Sequence, residues 1–403
     1  LLLAVTYGEA KKSSDDRQMD DFITSLMKKM TLEEKIGQLN LGGVGSPKVV
    51  GSAIGLDEAI RKGLVSSVGG FDAKAAEDAQ KFAVENSRMK IPLITGLDVV
   101  HGYYTIFPIP LASACSWNMP LLEESARVAA DEASAFGINW TFAPMVDICR
   151  DPRWGRIAEG AGEDPCLGSR IGRAMVRGFQ GDDLSKPNTL LACVKHFALY
   201  GASEAGRDYN TVSMDPVTMY NYYLPPYKAA FDEGAGSGMT SFNVVNGVPA
   251  TGNKWLLTDL LRDQWKFKGF MVSDANSLAE MSEHGMGGAQ RITELAMNAG
   301  LDMDMSSSLY VLCLKKAVEE KRVPLSRIDA ACRRVLEAKY KLGLFEDPFR
   351  YLKNKQRQSQ VLSPQNRDVA RRLAAESIVL LKNSEQLLPI TPPRKIAVVG
   401  PMG

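Results

Sequence analysis

The run Gly269-Phe270-Met271-Val272-Ser273-Asp274-Ala275-Asn276-Ser277 puts three consecutive apolar residues after a glycine and then stops at a serine and an aspartate. Apolar residues without polar alternation read as a strand buried on both faces, the kind found in parallel sheets covered by helices. A carboxylate at the C-terminal mouth of such a strand loses hydration, so it must be paired, used, or turned back to cap the next helix. Which of these applies to Asp274 depends on the rest of the chain.

Outward from this stretch, short apolar runs recur near residues 65–69, 92–97, 112–115, 140–146, 190–194, 238–241, 270–273 and 301–305. Amphipathic stretches separate most of them, at 73–88, 121–136, 167–180, 216–233, 254–265 and 289–299. Helical patterning also covers 20–39, where Thr31-Leu32-Glu33-Glu34 is a capping box opening its second half. Strands alternating with helices predict a parallel sheet, and eight of them over about 300 residues fit a (β/α)8 TIM-barrel-like domain better than an open doubly wound sheet. Helices at 309–321 and 326–340 lead to Gly343 and a turn at Pro348. The expected division is a lead-in over 1–19, a barrel domain over 20–349, a polar linker over 350–362, and the start of an α/β sandwich domain over 363–403. That last segment carries a helix near 363–381 and a strand at 395–400.

Composition narrows the function. With 48 basic against 47 acidic residues the net charge is +1, which disfavours nucleic acid or an anionic membrane surface as partner. No run approaches the ~18 apolar residues of a membrane span. The opening Leu1-Leu2-Leu3-Ala4-Val5-Thr6-Tyr7-Gly8-Glu9-Ala10 resembles the tail of a signal peptide and favours export. Six cysteines lack any CxxC pair, and the three histidines lack metal-pair spacing, so no metal site is expected. Cys149 and Cys166 flank a loop and could pair in an oxidising compartment.

In a barrel, chemistry collects where strands end. Asp98, Asp147, Lys195-His196 and Asp274 each follow an apolar run. Each alone could be structural, whereas four together point to one shared site. The loop Arg150-Asp151-Pro152-Arg153-Trp154-Gly155-Arg156 interleaves guanidinium groups, a carboxylate and an indole, a surface suited to a polyhydroxylated ring. Arg153 is expected only to rigidify that loop, and Arg156 to face a ligand. Lys195, His196 and the later Arg207-Asp208 offer donors to one pocket that would hold a nearby carboxylate ionised. Phe242 is a candidate wall, and Asp302 and Asp304 are read as structural.

At this point the chain resembles glycoside hydrolase family 3, of the exported bacterial β-glucosidase type, over roughly residues 20 to 403. The matching motifs are Gly96-Leu97-Asp98 through His101-Gly102, RDPRWGR (150–156), GED (162–164), KHFALYG (195–201), GRDYN (206–210), MTSFN (239–243), GFMVSD (269–274) and NAGLDMDM (298–305). The resemblance implies a retaining exo-β-glycosidase that releases terminal β-D-glucosyl residues from glucosides or oligosaccharides, with water as second substrate and no cofactor. It implies Asp274 as nucleophile. Asp98, Arg156, Lys195, His196 and Arg207 would hold sugar hydroxyls, with Met239 and Phe242 lining the same subsite. Periplasmic or secreted localisation follows from it, and a homodimer is compatible with it. Retention needs a second carboxyl about 5–5.5 Å from the nucleophile, which the resemblance assigns to a glutamate beyond the barrel and outside this chain. Glu159, Glu163, Glu204, Glu280 and Glu283 match no family acid position.

Two departures qualify this. Ala275 stands where relatives carry the Trp that walls the leaving-group side, which implies an altered leaving-group preference. No histidine lies between His196 and His284, which disfavours the N-acetylglucosaminidase variant of the family. The competing readings are a β-xylosidase or mixed-specificity exo-glycosidase, separable at Asp98, and a non-catalytic sugar-binding fragment lacking its acid.

Overall fold

The computed structural model describes residues 14–43, 55–69, 73–353, 355–397 and 399–400. The signal-peptide reading of the first ten residues lies outside the described residues. Ten strands form in chain order: β1 (Asn40–Gly43), β2 (Ser67–Gly69), β3 (Ile94–Leu97), β4 (Trp140–Thr141), β5 (Leu191–Phe197), β6 (Ser237–Thr240), β7 (Val244–Val245), β8 (Val248–Pro249), β9 (Phe270–Val272) and β10 (Asp304–Met305). Eight of them make one sheet in the order β10-β1-β2-β3-β4-β5-β6-β9, while β7 and β8 form a small antiparallel hairpin. Every neighbouring pair in the large sheet is parallel. A parallel bridge between Val272 and Met303 brings the two ends together, so the sheet closes into the expected (β/α)8 barrel.

Local chemistry explains the elements. Helix Leu32–Gly37 is opened by the predicted capping box, with Thr31 accepting from the Glu34 N–H and Glu34 accepting from the Thr31 N–H. Helix Pro165–Gln180 has proline in its first turn and the Asp164 carboxylate on the Leu167 N–H at 2.7 Å. Inside the barrel Trp140 is fully buried, and its indole N–H donates to Ser237 Oγ at 2.8 Å. Gly96 on β3 lets that ring approach, since a Cβ there would sit 2.7 Å from Phe142 and 3.0 Å from Trp140.

Two strand expectations exchange places. Residues 112–114 are helical, within Pro110–Ala114, with Cys115 as its C-cap, because Pro110 fixes a helical first turn and a short apolar run does not by itself distinguish strand from helix. The missed strand is β1, whose Asn-Leu-Gly-Gly sequence has poor strand propensity and is held by its parallel partners on both sides.

The first helix begins at Ser14, not Asp20, because Met19, Ile23 and Met27 share one buried face. The helix expected over 363–381 spans Pro364–Glu376 and packs Val369 and Leu373 against Phe107, Leu121 and Leu122. Between Ser377 and Gly400 the described residues form no helix or strand, so the strand anticipated at 395–400 is absent among them. Cys149 is buried, Cys166 is exposed, and both thiols are free. Among the described residues, no helix is long and apolar enough to cross a membrane.

Candidate active site

The polar residues singled out at strand ends meet at the C-terminal mouth of the barrel. Asp98 leaves β3, Lys195 and His196 lie in the last turn of β5, and Asp274 sits two residues past β9. Lys195 is 4% exposed and donates from Nζ to Asp98 Oδ1 at 2.5 Å, while Asp98 is 60% exposed and reaches toward solvent. The His196 ring is buried with its Nε2 3.5 Å from Asp274 Oδ2. Asp274 is 14% exposed and accepts the Ala275 N–H at 2.7 Å. It does not cap the following helix, Ser277–Glu280, whose N-cap is Asn276.

Arg156 joins this group from the 3-10 turn Gly155–Glu159. Its guanidinium grips Glu159 through Nε at 2.7 Å and Nη2 at 3.1 Å, and Nη2 also lies 3.0 Å from His196 Nε2. Arg153 instead pairs with Asp151 on the surface, as expected. Trp154 is buried, donates from Nε1 to Asp208 at 3.0 Å, and meets Tyr200 edge to face. This loop lies against Gly201, where a Cβ would come within 2.3 Å of the Ile148 carbonyl oxygen. That contact accounts for the glycine closing Lys195-His196-Phe197-Ala198-Leu199-Tyr200-Gly201.

Burial raises the pKa of Asp274, against the opposing pull of Lys195, the Ala275 N–H and Arg156. Its carboxylate is thus poorly hydrated yet surrounded by groups that stabilise the anion, the condition for a reactive carboxylate. Burial disfavours the charge on Arg156, but Glu159 outweighs it and holds the guanidinium above its ordinary range. Burial likewise raises Glu159, and Arg156 and Lys195 overcome it to leave this carboxyl lowered. Glu280 carries the opposite perturbation, raised by burial, Glu283 and Asp274.

Of the residues anticipated, Asp98, Lys195, His196, Arg156 and Asp274 form one connected set. Met239 is buried on β6 and pairs with Val272, two residues before Asp274. Phe242 packs with Tyr200, Trp154, Met145 and Cys149, its ring 4.7 Å from that of Tyr209. Arg207 stands apart: it is exposed, and its hydrogen bonds among the described residues are those of its backbone, whose N–H donates to the Glu204 carbonyl and whose carbonyl accepts from the Asn210 N–H. Asp147, the remaining strand-end carboxylate anticipated, joins the set 2.8 Å from His196 Nδ1. Two contributors were not anticipated: Glu159, visible only as a loop glutamate, and Tyr227, on helix Pro225–Asp232, which carries no sequence signal. Among the described residues, no three His, Cys, Asp or Glu side chains could hold a metal ion.

The profile of the glycosyl hydrolase family 3 N terminal domain matches residues 31–338. A periplasmic beta-glucosidase from Salmonella typhimurium is 43% identical over 95% of this chain and 50% of its own length. A putative beta-xylosidase from Formosa agariphila is 32% identical over 98% of this chain and 56% of its own length. The crystal structure of beta-glucosidase from Listeria innocua in complex with isofagomine superposes with a TM-score of 0.87 at 43% identity, covering 92% of this chain and 52% of that one. Other structures of the Listeria protein hold glucose and, in an aspartate-to-alanine variant, laminaribiose. The chain spans about half the length of the curated relatives it matches.

Proposed function

The chain belongs to glycosyl hydrolase family 3, and on that premise we propose that it forms the sugar pocket and supplies the nucleophile of a retaining exo-β-glucosidase. An Asp274 oxygen attacks the anomeric carbon from the face opposite the leaving group, the bond to the leaving oxygen breaks, and an α-glycosyl ester forms on the enzyme. Water then attacks the same carbon from the other face and displaces the carboxylate, so two inversions give net retention. Lys195 and Arg156 donate to ring hydroxyls, Asp98 accepts from them, and Met239 and Phe242 wall the subsite. Arg207, exposed in its loop, would join them only by turning inward. The observation that carries this reading is the desolvated Asp274 carboxylate, 3.5 Å from His196 in the cluster that holds Arg156 and the Lys195–Asp98 pair.

The acid that protonates the leaving group is assigned to a glutamate outside this chain. Glu159 is unsuited, since Arg156 keeps it ionised. Efficient cleavage of laminaribiose by the 403-residue chain alone would place the acid within it. Export to the periplasm is in keeping with the Salmonella relative's name.

A dinitrophenyl 2-deoxy-2-fluoro-β-glucoside needs no acid to leave, so it tests the nucleophile directly. Mass spectrometry should find one fluoroglucosyl group on the peptide carrying Asp274. Asp274→Asn should remain unlabelled, still bind glucose, and lose at least about 10³-fold in turnover of nitrophenyl glucoside. A label on another carboxylate, or near-wild-type turnover in the variant, would sink the assignment.

The β-xylosidase name of the Formosa relative supports a second reading. Asp98, exposed beyond its bond to Lys195, is the carboxylate able to reach a hydroxymethyl group. For a glucosidase, Asp98→Ala should depress nitrophenyl glucoside hydrolysis more than xyloside hydrolysis. An equal loss on both would favour the xylosidase.

A further inference from the structure

His196 is fixed from both sides by groups that leave it one choice of tautomer. Asp147 is fully buried, and its Oδ2 lies 2.8 Å from His196 Nδ1 and accepts the His196 backbone N–H at 2.9 Å. The other carboxylate oxygen, Oδ1, takes the Tyr227 hydroxyl, which is also 2.8 Å from the His196 carbonyl oxygen. On the far side of the ring, Nε2 faces the Arg156 Nη2 at 3.0 Å and Asp274 Oδ2 at 3.5 Å. Arginine can only donate and an ionised carboxylate can only accept. Both contacts therefore agree only if Nδ1 carries the proton and Nε2 offers a lone pair. A proton on Nε2 would face the Arg156 donor at 3.0 Å and leave Oδ2 of Asp147 without its ring partner.

We propose that Asp147, itself held by Tyr227, is a positioning residue that locks His196 as its Nδ1–H tautomer. The lock has two consequences for the site, and they rest on the sugar-pocket reading given above. The single Nε2 lone pair, which takes the Arg156 Nη2 N–H in the free site, becomes an acceptor for a sugar hydroxyl once Arg156 turns to the sugar, so the pocket then presents two donors, Lys195 and Arg156, beside two acceptors, Asp98 and His196. The imidazole is also barred from donating to Asp274 across the 3.5 Å gap, which leaves that carboxylate's lone pairs free to attack carbon. The other groups facing the ring are the Tyr200 edge at a centroid distance of 5.3 Å and the preceding residue, Lys195.

Histidine labelled with ¹⁵N reads this directly, because the protein has three histidines and the other two, His101 and His284, are exposed. In a long-range ¹H–¹⁵N correlation spectrum at neutral pH, His196 should have a protonated Nδ1 and an unprotonated Nε2. Asp147→Ala should shift it toward the Nε2–H form and weaken glucose binding by at least about tenfold, the usual cost of losing an orienting partner. Asp147→Asn should recover both the Nδ1–H signal and most of the affinity. Its amide oxygen can accept from His196 while its NH2 donates to Tyr227, whose hydroxyl turns to the His196 carbonyl.

An Nε2–H or imidazolium signal in the wild-type protein would overturn the proposal, as would an unchanged tautomer in folded Asp147→Ala. Should the alanine variant not fold, the wild-type spectrum decides. A locked Nδ1–H tautomer in a protein that binds no glucose would refute the glucosidase reading while leaving the role of Asp147 intact.

Discussion

Asp274 holds a negative charge where the surroundings resist one, and this has a thermodynamic signature separate from catalysis. Its pKa is raised in the folded chain by burial, so between the ordinary value of 3.8 and the raised one the native state binds more protons than the unfolded state. Unfolding free energy therefore falls as pH rises through that window and stays lower above it. Asp274→Asn removes the charge, and should be more stable than wild type at neutral pH by on the order of 1 kcal/mol, the usual yield of relieving one such conflict. The gain should vanish once acid protonates the wild-type carboxyl. Thermal melting of both proteins at neutral and acid pH checks this, and an Asn variant less stable at neutral pH would contradict it. Most of the site was legible because the barrel repeats one device, a polar residue directly after an apolar run, and Asp98, Asp147, Lys195, His196 and Asp274 all use it. What was illegible depends on groups arriving from elsewhere. Tyr227 reaches Asp147 from a surrounding helix, and nothing in the loop around Arg207 predicts that its side chain turns outward.

The strands carry aspartates at both ends, and the two ends put them to opposite uses. Asp302 enters the barrel just before β10, where Arg262 and Arg334 each donate to it at 2.7 Å and the Met271 N–H adds a third bond at 2.7 Å. Burial lowers the Arg262 pKa to about 10 even with this partner, so that guanidinium depends on the carboxylate. Asp302→Ala would leave it buried and uncompensated, at an expected cost of roughly 3–5 kcal/mol. The urea midpoint should fall accordingly, while a shift of a few tenths of a kcal/mol would mean the arginines find other partners. Asp274→Asn is expected to do the reverse, so two aspartates after or before buried strands separate by sign. Sequence patterning recovered seven of the eight barrel strands because short apolar runs such as 190–194 and 270–273 lie between amphipathic helical stretches. It lost β1, where pairing on both sides overrides two glycines and an asparagine. At 112–115 it read as a strand what Pro110 turns into a helix.

On the scale of the molecule, helix Pro364–Glu376 follows a linker-like stretch after which a second domain is expected to start. In the structure it covers Phe107, Leu121 and Leu122 with Val369 and Leu373. The ties run through Glu132, which accepts from the Tyr104 and Thr105 N–H groups and the Thr105 hydroxyl, and from the Leu362 N–H and the Asn366 amide. Burial alone would raise this carboxyl, yet those bonds lower it below its ordinary 4.5. Its contribution is therefore present above that value and lost as pH falls through the folded pKa. A chain ending at residue 353 gives up the last two donors and the cover of Val369 and Leu373, each worth ~1.5–3 kcal/mol when buried. Allowing for the entropy of ordering the helix, its stability at neutral pH should drop by about 2–4 kcal/mol relative to a chain ending at residue 377. The chain ending at 377 should match the 403-residue chain, since the described residues beyond it are almost all exposed. Urea midpoints of the three chains measure this, and the deficit should narrow in acid, where protonated Glu132 no longer draws the helix in. Equal midpoints for the chains ending at 353 and 377 would mean that the helix rests on the barrel without supporting it.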